Sequence, residues 1–226
     1  MLDRLRAFYL QSHHRRVLQM SDHPVQQVRR IMESVTQRGG NRGILCDLGA
    51  GSEPSVVKSL WKGRRIAIDI FPGPGLDLVG DGQALPFRDK SVDAILLMEV
   101  LEHVPNPLSL LQECFRILRP GGHMCLTAPQ YHITHNYPAD YYRYTRQGLE
   151  YLCGQAGLRV LDIQARGGPF LVIFHAIELN LPPRTRLAFV AATYGLFDWL
   201  DERLCNHGNR EGIRDAIGWS VLAARP

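Results

Sequence analysis

Residues 44–54 read Ile44-Leu45-Cys46-Asp47-Leu48-Gly49-Ala50-Gly51-Ser52-Glu53-Pro54. Ile44 to Leu48 is a short apolar run interrupted only by Asp47. Gly49 and Gly51 allow a tight turn and let a ligand touch bare backbone, and Pro54 suits the first turn of a helix. Strand, glycine turn and helix in this order open a parallel α/β sheet, with a ligand expected at the strand's carboxyl end. The acids narrow the ligand. A dinucleotide site lays pyrophosphate on this helix N-terminus and wants a third glycine, which this turn lacks, with Glu53 standing in that stretch. Carboxylates at Asp47 and Glu53 would repel that anion and suit a cation.

Further along, apolar runs recur at Ile66–Ile70, Val92–Met98 and His123–Ala128, each followed by a turn and a helical stretch. Such alternation predicts parallel strands buried on both faces and joined by crossover helices. Leu158–Ala165 and Ile217–Ala224 read as two more strands, and Leu76–Val79 as a weaker one. Residues 2–38 read as two helices forming an N-terminal cover over positions 1–40. Residues 170–208 read as a helical insertion broken at Pro182-Pro183, ahead of the last strand. The expectation is a Rossmann-like, doubly wound, seven-stranded and mostly parallel sheet over 41–226.

Strand two ends in Asp69, 22 residues after Asp47. A carboxylate at that spacing is placed to accept ribose hydroxyls, with a turn or helix cap as the alternative. A ribose at Asp69 and a cation at the acidic glycine turn together fit S-adenosylmethionine (SAM), whose ammonium and sulfonium lie at its reactive end. They argue against a nicotinamide oxidoreductase.

Taken in order, ILCDLGAG, IAID, GDGQALPF, VDAILLMEVLEHVPNPLSLLQECFRILRPGG and TAP resemble the class I SAM-dependent methyltransferases. The resemblance runs over 44–128, in the branch containing the ubiquinone-biosynthesis O-methyltransferases and many sugar and natural-product enzymes. Glu53 departs from the usual third glycine. The resemblance implies that Asp47, Gly49 and Gly51 hold the methionine portion and Asp69 the ribose. It also implies that Asp81 and the Gly82 backbone read the adenine edge and that Met98 lies against the cofactor. Arg119-Pro120-Gly121-Gly122 reads as a turn. Glu99, Glu102 and His103 would share one face if helical, and carboxylates with imidazole can ligate a divalent ion. Relatives of the ubiquinone branch have such a proposed role, others keep the motif as structure, and no metal is assigned here.

In this fold the acceptor sits beyond strands four and five. The segment 129–145 that follows is dense in His, Tyr, Asp and Arg, and poor in aliphatics. It resembles the H-x-x-P-x-D-Y-x-R-Y-T stretch of bacterial methyltransferases of surface-glycan biosynthesis. On chemical type, His132 and His135 are the candidate general bases. Asp140, Arg143, Tyr142 and Tyr144 either grip substrate or build the loop. Helices at 170–208 could wall the acceptor pocket, form a dimer face or rest on a membrane.

The chain has 226 residues and a net charge of +4. Six arginines against two aspartates in the first thirty residues account for that excess, as a solvated face or as a weak contact with an anionic surface. No apolar run reaches the ~18 residues of a membrane span. Five scattered cysteines without a C-x-x-C pair predict reduced, mostly buried thiols. The expectation is a cytoplasmic enzyme methylating a small-molecule, sugar or lipid-linked acceptor, most simply at oxygen, with no nucleic-acid partner. A non-catalytic SAM-binding protein is the alternative.

Overall fold

In the computed structural model, residues 26–31, 33, 43–51, 60–135, 138–205 and 215–226 are described. Most of the N-terminal cover expected at 1–40 lies outside these residues, as does Glu53; positions 26–31 are helical. The chain divides into two compact units. The larger comprises 23–130, 134–164 and 218–226, and the described part of the smaller comprises 131–133, 165–205 and 215–217.

Seven strands form one sheet: β1 (Ile44–Leu48), β2 (Arg64–Asp69), β3 (Leu78–Val79), β4 (Val92–Met98), β5 (Leu118–Pro129), β6 (Arg159–Arg166) and β7 (Gly218–Ala224). Their order is β3-β2-β1-β4-β5-β7-β6. Pairing is parallel from β3 through β5, and β7 runs antiparallel to β5. This is the Rossmann-like doubly wound sheet expected from the apolar runs. The centre is dry: Leu45, Cys46, Ala94 to Leu97 and Met124 to Leu126 are buried. Cys46, Cys114, Cys125 and Cys153 are buried thiols.

One boundary differs. Arg119 to Gly122 belong to β5 rather than to a turn before it. The ladder pairs Val92 with Leu118 and Ala94 with His123, so the proline and glycines form a bulge inside the strand.

Local chemistry explains the helices. Asn106 caps α1 (Pro107–Ile117) by accepting from Ser109 N at 3.3 Å, with Pro107 in the first turn. Thr145 caps α2 (Arg146–Gln155) through Gly148 N, and Gly157, at φ 85°, supplies the left-handed residue just past its end. Helical residues Val28 and Ile31 pack on Leu45, Leu96, Cys125 and Leu222. Beside them, buried Gln27 donates to Ser220 O at 3.1 Å and accepts from the Ser220 hydroxyl.

The smaller unit contains the two helices expected around Pro182-Pro183, α3 (Pro169–Asn180) and α4 (Pro183–Leu200). They join through Phe174, whose ring meets Phe189, Tyr194 and Phe197 at 5.4–5.5 Å. The α3 N-terminus offers three backbone N–H groups, from Gly168, Phe170 and Leu171, to the buried Asp201 carboxylate at 2.9–3.0 Å. Among the described residues no helix is long and apolar enough to cross a membrane.

Candidate cofactor and active site

Strand β1 lies between β2 and β4, so the chain leaves the sheet in opposite directions on its two sides. Ligands of open α/β sheets bind at such a switch point, outside the carboxyl ends. Here that crevice is a cavity of about 340 Å³ in the larger unit, lined by Gly49, Gly51, Asp69, Asp81, Gly82, Glu99, His103 and His135 with apolar neighbours.

The glycine turn is conformationally required. Gly49 and Gly51 have φ of 66° and 55°. A Cβ at Gly49 would also run into the Val100 side chain, so this glycine lets the turn close against the end of β4. Gly51 meets nothing within 4 Å on that side. Its N–H donates to Asp69 Oδ2 at 2.9 Å, and Phe71 N donates to Oδ1 at 3.1 Å. The Asp69 carboxylate is thus oriented before any ligand arrives. Asp81 is held similarly, accepting at Oδ1 from Gln83 N at 2.9 Å. Ile70, Phe71 and Leu110 add an apolar slot beside these acids.

Two residues assigned to the cofactor by resemblance are placed elsewhere. Asp47 is 1% exposed and is not on the cavity wall. Its Oδ2 receives Arg65 Nε at 2.8 Å and Arg65 Nη2 at 2.7 Å. Register explains the pair: Asp47 lies opposite Ala67, so Arg65, two residues back on β2, is its diagonal neighbour on the same face. Met98 packs against the core cluster of β1 and β4, with the Thr127 hydroxyl 4.0 Å from its sulfur.

Glu99 enters instead. It follows β4, lines the cavity and has φ 52°, a left-handed conformation uncommon for a residue with a side chain. Its N–H sits 3.1 Å from both the carbonyl and the hydroxyl of Thr127. The helix considered for Glu99 through His103 is therefore a single 3-10 turn over Leu101–His103, with Glu99 outside it. Buried Glu102 joins His103 and His135 in a group whose ligand atoms lie within 4.8 Å of one another, a spacing suited to a divalent ion.

Residues 138–145 are anchored to that turn. Tyr141 N donates to Glu102 O at 2.8 Å, the Tyr144 hydroxyl to Leu101 O at 2.9 Å, and the Tyr142 hydroxyl to Pro105 O at 3.0 Å. His103 Nδ1 contacts Ala139 O. Arg143 grips both oxygens of Asp140, which also accepts from His135 N at 2.9 Å. The bonds from Arg143 hold the Asp140 carboxyl well below the usual carboxylate range, despite its burial. In the described structure, Asp140, Arg143, Tyr142 and Tyr144 are thus engaged in building the loop.

The two histidines fall in different units. His135 lines the cavity, with Nδ1 3.4 Å from Asp140 Oδ2 and its ring edge-on to His103 at 4.7 Å between centroids. His132 belongs to the smaller unit, with its ring 5.3 Å from that of His175.

Residues 47–126 match the family model described as a methyltransferase domain. An uncharacterized methyltransferase of Mycobacterium marinum is 52% identical over 50 residues, which are 22% of this chain and 20% of that protein. The matched stretch thus spans about a fifth of such curated relatives. Among solved structures, the 1,6-didemethyltoxoflavin-N1-methyltransferase of Burkholderia thailandensis, with S-adenosylhomocysteine bound, is similar over 88% of this chain and 77% of its own, at 16% identity and TM-score 0.53. The cyclase SpnF is similar over 87% and 80%, at 18% identity and TM-score 0.53. The shared fold therefore leaves the reaction to be argued from the site. Residues 47–126 thus match a methyltransferase domain, and they carry the sheet order and glycine turn expected of the class I, SAM-dependent type.

Proposed function

We propose that the protein transfers a methyl group from SAM to a hydroxyl of a small-molecule, sugar or lipid-linked acceptor. The observation that carries this reading is the wall of a single cavity, on which the glycine turn, the oriented Asp69 and His135 occur together. Bound SAM supplies a methyl carbon already activated by its sulfonium. The chain's own residues bind, orient and move a proton. Asp69 accepts the ribose hydroxyls, Asp81 and the Gly82 backbone receive the adenine edge, and the Gly49–Gly51 turn admits the methionine portion against bare backbone. Alignment of the acceptor supplies much of the acceleration.

A hydroxyl must also lose its proton. With Nδ1 of His135 turned towards Asp140, Nε2 is the nitrogen that takes it. His132 is the second candidate. Transfer of labelled methyl to hydroxylated sugars, lipid-linked glycans and phenols identifies the acceptor. With that acceptor, His135→Ala should lower kcat by about 10²–10⁴-fold at nearly constant SAM affinity. The same loss in His132→Ala, with His135→Ala unimpaired, would move the base to His132. Absence of transfer to any acceptor by a protein that binds SAM would favour a non-catalytic role.

A further inference from the structure

Building on the reading that this cavity takes SAM, we propose that Glu99 makes the protein favour SAM over its demethylated product, S-adenosylhomocysteine (SAH), by placing a carboxylate where the sulfonium charge lies. The two molecules differ by one methyl group and one positive charge. A residue that senses the difference must sit at the reactive end and be charged.

The sheet order fixes which end that is. Asp69 ends β2, and Asp81 and Gly82 follow β3, so the adenosine side lies over the β2–β3 half of the sheet. The wall on the other side includes the end of β4 and the loop that follows β5, with Glu99, Val100, His103 and His135. Gly49 is pressed against Val100, so a ligand passing along the glycine turn towards β4 reaches Glu99 next.

Glu99 is also held in place at a cost. Its left-handed backbone is a strained conformation for a residue with a Cβ, kept there by the two groups of Thr127 that face its N–H. Local charge points the same way. Among the described residues, no Lys or Arg lines the cavity. Arg143 lies near Glu99 and Glu102, and its guanidinium grips both oxygens of Asp140. Asp47, the other acid near the turn, is buried against Arg65. Glu99 thus brings a carboxylate to the cavity wall at the reactive end, and opposite charges in a partly enclosed site attract strongly.

The test is calorimetric titration of wild type and Glu99→Gln with SAM and, separately, with SAH. Glutamine keeps the length and shape of the side chain and removes its charge. The SAM Kd should rise about tenfold, while the SAH Kd changes by less than about twofold, which also shows that the variant folds. Equal weakening of both ligands, or no change in either, overturns the proposal. Wild-type protein that binds neither ligand overturns the reading of the cavity itself, and the proposal with it.

Discussion

Asp47 and Glu99 show that an acid read from the glycine turn and an acid on the cavity wall can be different residues. The sequence places two acids at the glycine turn and predicts a preference for a cation. In the structure Asp47 is buried under Arg65, and the acids on the cavity wall are Asp69, Asp81 and Glu99. Asp69 and Asp81 were legible because each follows a strand that the apolar pattern locates. The Arg65 partner was less visible, since it depends on the β1–β2 register; yet that register, once assumed, puts Arg65 diagonal to Asp47. Glu99 was visible only as part of a possible helical motif, because nothing local in the sequence announces a positive φ. If Asp47 is a structural residue, Asp47→Asn should cost about 1–3 kcal/mol of stability by weakening a charged hydrogen bond. The folded variant should keep SAM affinity within about twofold of wild type. Denaturant melts with calorimetry check both, and a large loss of affinity in a protein of normal stability would return Asp47 to the cofactor.

Among the elements, the 134–145 loop is the most informative. Its composition shows that it is not core, but composition cannot separate residues that build a loop from residues that work in it. The difference lies in long-range bonds to Leu101, Glu102 and Pro105. The strands were more readable: β1 and β4 fall where the apolar runs end, and the shift at β5 arises because a Pro-Gly-Gly bulge is absorbed into the strand. The loop has a pH signature. The Asp140 carboxyl is held below its ordinary value by Arg143, so its contribution to stability is fully present above the unfolded value of about 3.9 and is lost as pH falls through the depressed folded value. Wild type should therefore lose melting temperature more steeply than Asp140→Asn as pH is lowered from about 5 to 3. Glu113, also lowered by its bond to Arg116, contributes equally to both proteins and cancels. Parallel pH profiles would show that the Asp140–Arg143 pair adds nothing to stability.

For the whole molecule, the sheet order decides where the chemistry can be. With β1 between β2 and β4, the carboxyl edge of the sheet collects the glycine turn, Asp69, Asp81 and Glu99 in one cavity, although they span fifty residues of sequence. That convergence was foreseeable from the alternation of apolar runs and helices, because doubly wound sheets place their ligands there. The acceptor was not, since it is recognised by side chains beyond the cofactor motifs. The central claim is that this edge binds SAM through a carboxylate oriented in advance at Asp69. Calorimetric titration of SAM into wild type and Asp69→Ala tests it most directly. The account predicts one site per chain in wild type and an affinity lower by about one to two decades in the variant, the worth of charged hydrogen bonds to the ribose. Equal affinity in a folded variant, or no binding by wild type, would contradict it.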